Sequence, residues 1–202
     1  MPKFSESEKV AIREKLLAKG EQLFIQHGFK KVTVEDLTKE VGIAKGSFYS
    51  FYKNKEHLYA EILLGIQRKV LADAEIFLQK NHTLPSRQLV KDLTLWSFKE
   101  TEKYPLLLQQ DAELISHLSR KLAEETYPDI DEEMMRMLVV RGVKFRHDLK
   151  LITEVSQTLT ITFFDLRSRK GSKGVEAIMS ILIDAVANEI VRDDEQLTGC
   201  SQ

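Results

Sequence analysis

Cysteine is nearly absent from this chain: the one thiol, Cys200, lies in a polar tail, so no disulfide can form within the molecule and no oxidising compartment is implied. Bulk charge of either sign is missing too. Thirty Lys and Arg stand against thirty-one Asp and Glu, a formal net charge of −1, so the whole chain has no general attraction to nucleic acid or to an anionic membrane. Long apolar runs are also lacking. The N-terminal "MPKFSESEKV" has no signal-like apolar core, and the greasiest stretch, "IMSILIDAVA", is interrupted by Asp184, which leaves the cytoplasm as the expected location and no membrane as a partner.

Catalytic and metal-binding patterns are equally scarce. The five histidines, at 27, 57, 82, 117 and 147, never fall at metal-ligand spacing, and no cysteine joins them. "GIAKGS" is one residue short of a phosphate loop and lacks Gly-Lys-Ser/Thr, "GSKG" at 171–174 follows no strand, and no Gly-x-Ser-x-Gly elbow occurs. No enzyme activity, metal or cofactor is expected.

What the chain has is helical periodicity almost from end to end, with apolar residues three and four apart, so the expected fold is all-α. Charge is unevenly placed along it. Residues 1–55 hold eleven Lys/Arg and seven Asp/Glu, a net +4, and the remainder carries −5. A basic head precedes an acidic body. The expected division is a head over 1–55, a body over 56–195 and a flexible tail over 196–202.

Local signals place the helices. Ser5 and Glu8 form a capping-box pattern for a first helix that ends at Gly28, and Thr33 with Asp36 opens a second that stops at Gly42. A third covers roughly 44–52, and Asn54 caps a long fourth helix reaching about Lys80. Further helices are expected near 86–103, 105–124, 129–141, 150–168 and 173–192, with Pro105, Pro128, Gly142 and the turn "KGSKG" as punctuation.

The third helix holds four aromatic rings in five positions, "FYSFY" at 48–52. Helical spacing puts Ala44, Phe48, Phe51 and Tyr52 on one face, which reads as core. The other side carries Lys45, Gly46, Tyr49, Ser50 and Lys53, with Ser47 on the flank, all small or able to hydrogen-bond. Two short helices joined by a tight glycine turn, the second with a polar face, match a helix-turn-helix.

The run "TVEDLTKEVGIAKGSFYSFYKNKEHLYAEIL", residues 33–63, resembles the DNA-binding domain of TetR-family transcriptional regulators in the order and spacing of several independent features. The likeness covers about residues 8–65. "VVRGVKFRHDLKLITEV" at 139–155 looks like the family's link between two later helices. The resemblance implies an N-terminal three-helix helix-turn-helix domain joined to a larger helical ligand-binding and dimerisation domain. It also implies a DNA-binding set of Thr33, Ala44, Lys45, Gly46, Ser47, Tyr49, Ser50 and Lys55. Of these Lys45, Gly46, Ser47 and Ser50 would approach base edges, while Thr33, Tyr49 and Lys55 would meet the sugar-phosphate backbone. Lys3, Lys9 and Arg13 are further candidates for an adjacent groove. At Ser50 and Phe51 the chain departs from the family, many of whose members have a larger polar residue followed by His.

For the body, the resemblance implies a homodimer through helices 150–168 and 173–192, which are apolar on more than one face, and a pocket for a small-molecule inducer. Candidate pocket residues are Trp96, Phe98, Tyr104, Leu107, His117, Met134, Met137, Phe163 and Phe164. The implied function is a repressor released from a palindromic double-stranded DNA operator by that molecule. The alternative is a helical carrier or protein-interaction module without DNA binding.

Overall fold

A computed structural model describes residues 4–109, 114, 117–118, 129–170 and 174–192. Nearly all regular structure among them is helical: α1 Glu6–His27, α2 Val34–Val41, α3 Lys45–Phe48, α4 Lys55–Lys80, α5 Ser86–Thr101, α6 Pro105–Leu108, α7 Ile130–Val140, α8 Leu149–Lys170 and α9 Val175–Ile190. The expected continuation of α6 toward 124, the turn at 171–173, and the tail with Cys200 lie outside the described residues, as does Lys3. Among the described residues, no helix is long and apolar enough to cross a membrane.

The chain forms two compact units, one of Met1–Lys69 with Thr101–Tyr127, the other of Val70–Glu100 with Pro128–Gln202. The first unit therefore takes in α4 as far as Lys69, where the charge pattern placed a boundary at 55. The α4 helix starts at Lys55 and runs through the limit at Lys69, so composition shifts before the packing does.

Helices α1 and α2 begin where a side chain can serve their free amides. Ser5 Oγ accepts from the Glu8 amide at 3.3 Å while Glu8 accepts from the Ser5 amide at 2.8 Å. Thr33 and Asp36 repeat the reciprocal pair at 3.2 and 2.9 Å, and each such cap contributes about 1 kcal/mol. The α2 helix ends at Gly42, whose φ of +77° is a left-handed conformation that a side chain would strain; this reverses the chain into α3.

The α3 helix is shorter than the periodicity predicts, four residues rather than nine. Beyond Phe48 the backbone tightens, with Ser50 donating to Ser47 O at 3.1 Å and Phe51 to Phe48 O at 2.9 Å, both of the three-residue type. The aromatic face survives because these turns keep a nearly helical advance.

In the first unit Leu16, Phe24, Leu37, Phe48, Leu58 and Tyr59 are fully buried, and Phe24 meets Tyr59 edge to face at 5.0 Å. Burial of side chains this size contributes roughly 1.5–3 kcal/mol each. The α1 helix lies close to α4 at Gly20, where an added Cβ would stand 3.2 Å from both Ile62 and Leu58. In the second unit one core gathers Leu78, Leu93, Leu138 and Ile152, and another stacks Phe98 on Phe163 at 4.4 Å beside Met179 and Ile183. The link between α7 and α8 is fastened to the end of α9 by a single bridge, in which Arg146 donates to Ile190 O at 2.8 Å and Arg192 to Lys144 O at 2.9 Å.

Candidate nucleic-acid interface

Three hydrophobic anchors hold the short recognition helix. Phe48 and Tyr52 are buried beneath it with ring centroids 5.8 Å apart, and Phe51 is half-buried against Phe4 at 6.2 Å. Phe51 thus fills space between the loop and the start of the chain. Above the anchors Lys45, Gly46 and Ser50 are exposed, Ser47 is half-buried, and Tyr49 leaves 56% of its surface open while its ring braces on Phe48 at 5.6 Å. Ala44, placed on the core face by its spacing, is exposed instead: it is the cap residue, and its extended backbone turns the side chain away from the helix it starts.

Two expected phosphate contacts are already engaged. The Thr33 hydroxyl donates to Asp36 Oδ2 at 2.6 Å as part of the cap. Lys55 Nζ donates to Phe29 O and to Val32 O, both at 2.8 Å, and lies 4.4 Å over the Phe29 ring. Burial lowers the affinity of this amine for its proton below that of an ordinary lysine. The ammonium is a tie between the start of α4 and the loop leading into α2, with two carbonyls as its partners. The other basic candidates are paired at the surface, Lys9 with Glu6 at 2.6 Å and Arg13 with Glu61 at 2.8 Å.

One residue the sequence reading passed over belongs to the exposed face. Glu35, in the first turn of α2, accepts from Lys45 Nζ at 3.4 Å. An acid in a first turn is ordinarily explained by the helix dipole, which is why its position gave no signal.

Of the nine pocket candidates, six lie in the second unit and three in the first. Trp96 stacks on Phe77 at 5.3 Å; Phe163 lies between Phe98 and Phe164; Met134 and Met137 belong to the core around Leu138. Tyr104, Leu107 and His117 fall in the first unit, where His117 Nε2 is 3.1 Å from Glu56 Oε1 and its ring is 5.9 Å from Phe29. Burial raises the Glu56 carboxyl, yet the contact with His117 helps hold it below its usual value. The apolar cleft of the second unit is lined by none of the nine. It lies among Val90, Met135, Ile152, Leu159, Ile183 and Ala187, with about 20 Å³ of open space, room for roughly one water.

Beside that cleft Asp131 accepts from Ser156 Oγ at 2.9 Å and Thr160 Oγ1 at 3.3 Å, and burial pushes its carboxyl above the usual range. A raised carboxyl favours the folded state while protonated, and that contribution is lost as pH rises through the folded value. Asp131→Asn should therefore raise the melting temperature at neutral pH, with the gain fading on acidification. A loss of stability at neutral pH that shrinks on acidification would show the carboxylate hydrogen bonds to outweigh burial.

The comparisons with known proteins agree with this geometry. The profile of bacterial regulatory proteins, tetR family, matches residues 16–62, the segment that carries the helix-turn-helix. The HTH-type transcriptional repressor NemR of Escherichia coli (strain K12) is 48% identical over 44 residues, 22% of each chain. The curated relatives first matched share about a quarter of their length with this chain. Over nearly its whole length the fold is that of a TetR-family transcriptional regulator from Pectobacterium atrosepticum, with TM-score 0.65 and 16% identity across 94% of this chain and 100% of that one. It is also that of RolR in complex with resorcinol, with TM-score 0.62 and 15% identity across 90% of each. Residues 16–62 thus carry the helix-turn-helix of the TetR family of regulators, and the all-helical architecture that follows has the fold of TetR-family structures.

Proposed function

We propose that this protein is a cytoplasmic, homodimeric repressor that binds a palindromic operator and leaves it when a small molecule binds. The observation that carries the reading is the two-sided α3: Phe48 and Tyr52 buried, Lys45, Gly46, Tyr49 and Ser50 open. Such a face suits a major groove, with Tyr49 for the backbone, Lys45 for a base edge and the small residues allowing close approach to bases. TetR-family members are DNA-binding regulators rather than enzymes, and NemR is a repressor. One recognition helix reads few base pairs, so two copies spaced by a helical turn, about 34–36 Å, supply the specificity.

Support for the dimer comes from the second unit, where α8 exposes Ile161 (64%) and α9 exposes Ile181 (69%) with Ala177 and Ala185 on the same helix. Isoleucines on neighbouring, packed helices are costly to leave in water. For the ligand, RolR is seen in complex with resorcinol, and the apolar cleft here would suit a small, mostly apolar molecule that widens it. The α4 helix belongs to both units, so a ligand that favours one setting of it changes the presentation of the head. A coupling of about 1–3 kcal/mol weakens DNA binding roughly 5- to 150-fold.

Titrating salt against binding to the duplex upstream of the protein's own coding sequence tests the reading. Affinity should fall steeply with salt, and Tyr49→Ala combined with Lys45→Ala should weaken binding. Lys55 is unsuited to this test because its removal disturbs the head. Binding no tighter than to random duplex at low salt, with the dimer intact, would favour a carrier or interaction module.

A further inference from the structure

We infer that Glu35 and Lys45 act together as a reader of one G·C base pair in each half-site. The inference rests on the DNA-binding reading above and adds a residue to it. The two side chains come from different helices, one in the first turn of α2 and the other in the first turn of α3, ten positions apart in sequence, yet their polar ends meet at 3.4 Å. Both remain open, Lys45 at 58% and Glu35 at 76% of the side chain. Neither is occupied in building the head: the cap of α2 is closed by Thr33 and Asp36, and Lys45 heads a helix whose cap residue makes no side-chain bond.

A carboxylate beside a recognition helix is unfavourable unless the DNA offers it a donor, since every phosphate repels it. The major groove offers one in the right company. A G·C pair presents two adjacent acceptors, guanine N7 and O6, followed by one donor, cytosine N4. An ammonium can serve the two acceptors while the carboxylate next to it takes the amino group. At an A·T pair the donor, adenine N6, lies between two acceptors, adenine N7 and thymine O4, so a carboxylate placed on it is repelled from both sides. The pair also sets strand direction, because exchanging guanine and cytosine opposes like groups. In the free protein the two neutralise each other, so neither is left unpaired before DNA arrives. An exposed ion pair of this kind contributes little to stability, which leaves recognition as its use.

Selection of bound sequences from a random duplex library, with the full chain and with Glu35→Ala and Lys45→Ala, tests the pair. The wild type should enrich a motif with one G·C pair fixed in each half-site. Glu35→Ala should keep the rest of the motif, lose preference at that pair by about 5- to 150-fold, bind random duplex more tightly, and melt as the wild type does. Lys45→Ala should lose preference at the same pair. A motif unchanged in Glu35→Ala, or affinity lowered equally for every sequence together with a lower melting temperature, overturns the inference alone. A wild-type chain that enriches no motif overturns the DNA-binding reading and the pair with it.

Discussion

Phe48→Ala is expected to abolish sequence-specific DNA binding. The α3 helix has four residues, far below the length at which a helix persists by itself in water, so it exists only because its underside is packed. Phe48 is the fully buried part of that underside, touching the rings of both Tyr49 and Tyr52. Truncation of such a residue costs about 3–5 kcal/mol, a large share of the 5–15 kcal/mol that holds a typical domain. Fluorescence anisotropy with labelled duplex, together with thermal unfolding, measures the result. Phe48→Leu, which keeps most of the volume, should recover most of the binding. Wild-type affinity in Phe48→Ala would mean that the turns at 49–52 position the reading face by themselves.

The second large effect is expected from charging the face proposed for dimerisation. Ile161→Glu with Ile181→Glu should convert the protein to monomers, observed by sedimentation velocity at micromolar concentration. A two-fold interface takes both residues from each chain. At roughly 1.5–3 kcal/mol per buried isoleucine the loss reaches about 6 kcal/mol or more, at least four orders of magnitude in the dimer constant. The fold should survive, because both side chains are already mostly exposed within one chain. Operator affinity should collapse as the two half-sites become separate events. A double variant that still sediments as a dimer would place the interface on another surface.

How far the sequence could be read follows the range of the interactions. Ser5 with Glu8, Thr33 with Asp36, and Asn54 with the His57 amide each span three residues, and all close as their spacing predicts. The glycine stop at 42 is equally local. Legibility fails where a partner lies far away or is backbone. Lys55 finds carbonyls 23 and 26 residues earlier, and no pattern of side chains announces a carbonyl. Glu35 and Lys45 meet because a turn folds α3 back on α2, which the sequence implies only after the turn is known. In the body, periodicity identifies Trp96, Phe98 and Phe163 as interior, but an interior ring stacks on another ring as readily as it borders a cavity, and these stack. Charge composition changes near 55, while the compact unit that holds the head extends along α4 as far as Lys69.

The contact at Gly20 bears on how the head moves. With no side chain there, Ile62 and Leu58 of α4 pack close to the α1 backbone, and an added Cβ would make both give way by a few tenths of an ångström. A gap of one methyl group would let α4 slide a little before α1 felt it; here there is no such slack. A displacement of the first turns of α4 toward α1 should therefore press directly on the α1 backbone at Gly20. Binding and release should then be a switch between whole-head placements rather than a graded loosening of the recognition helix.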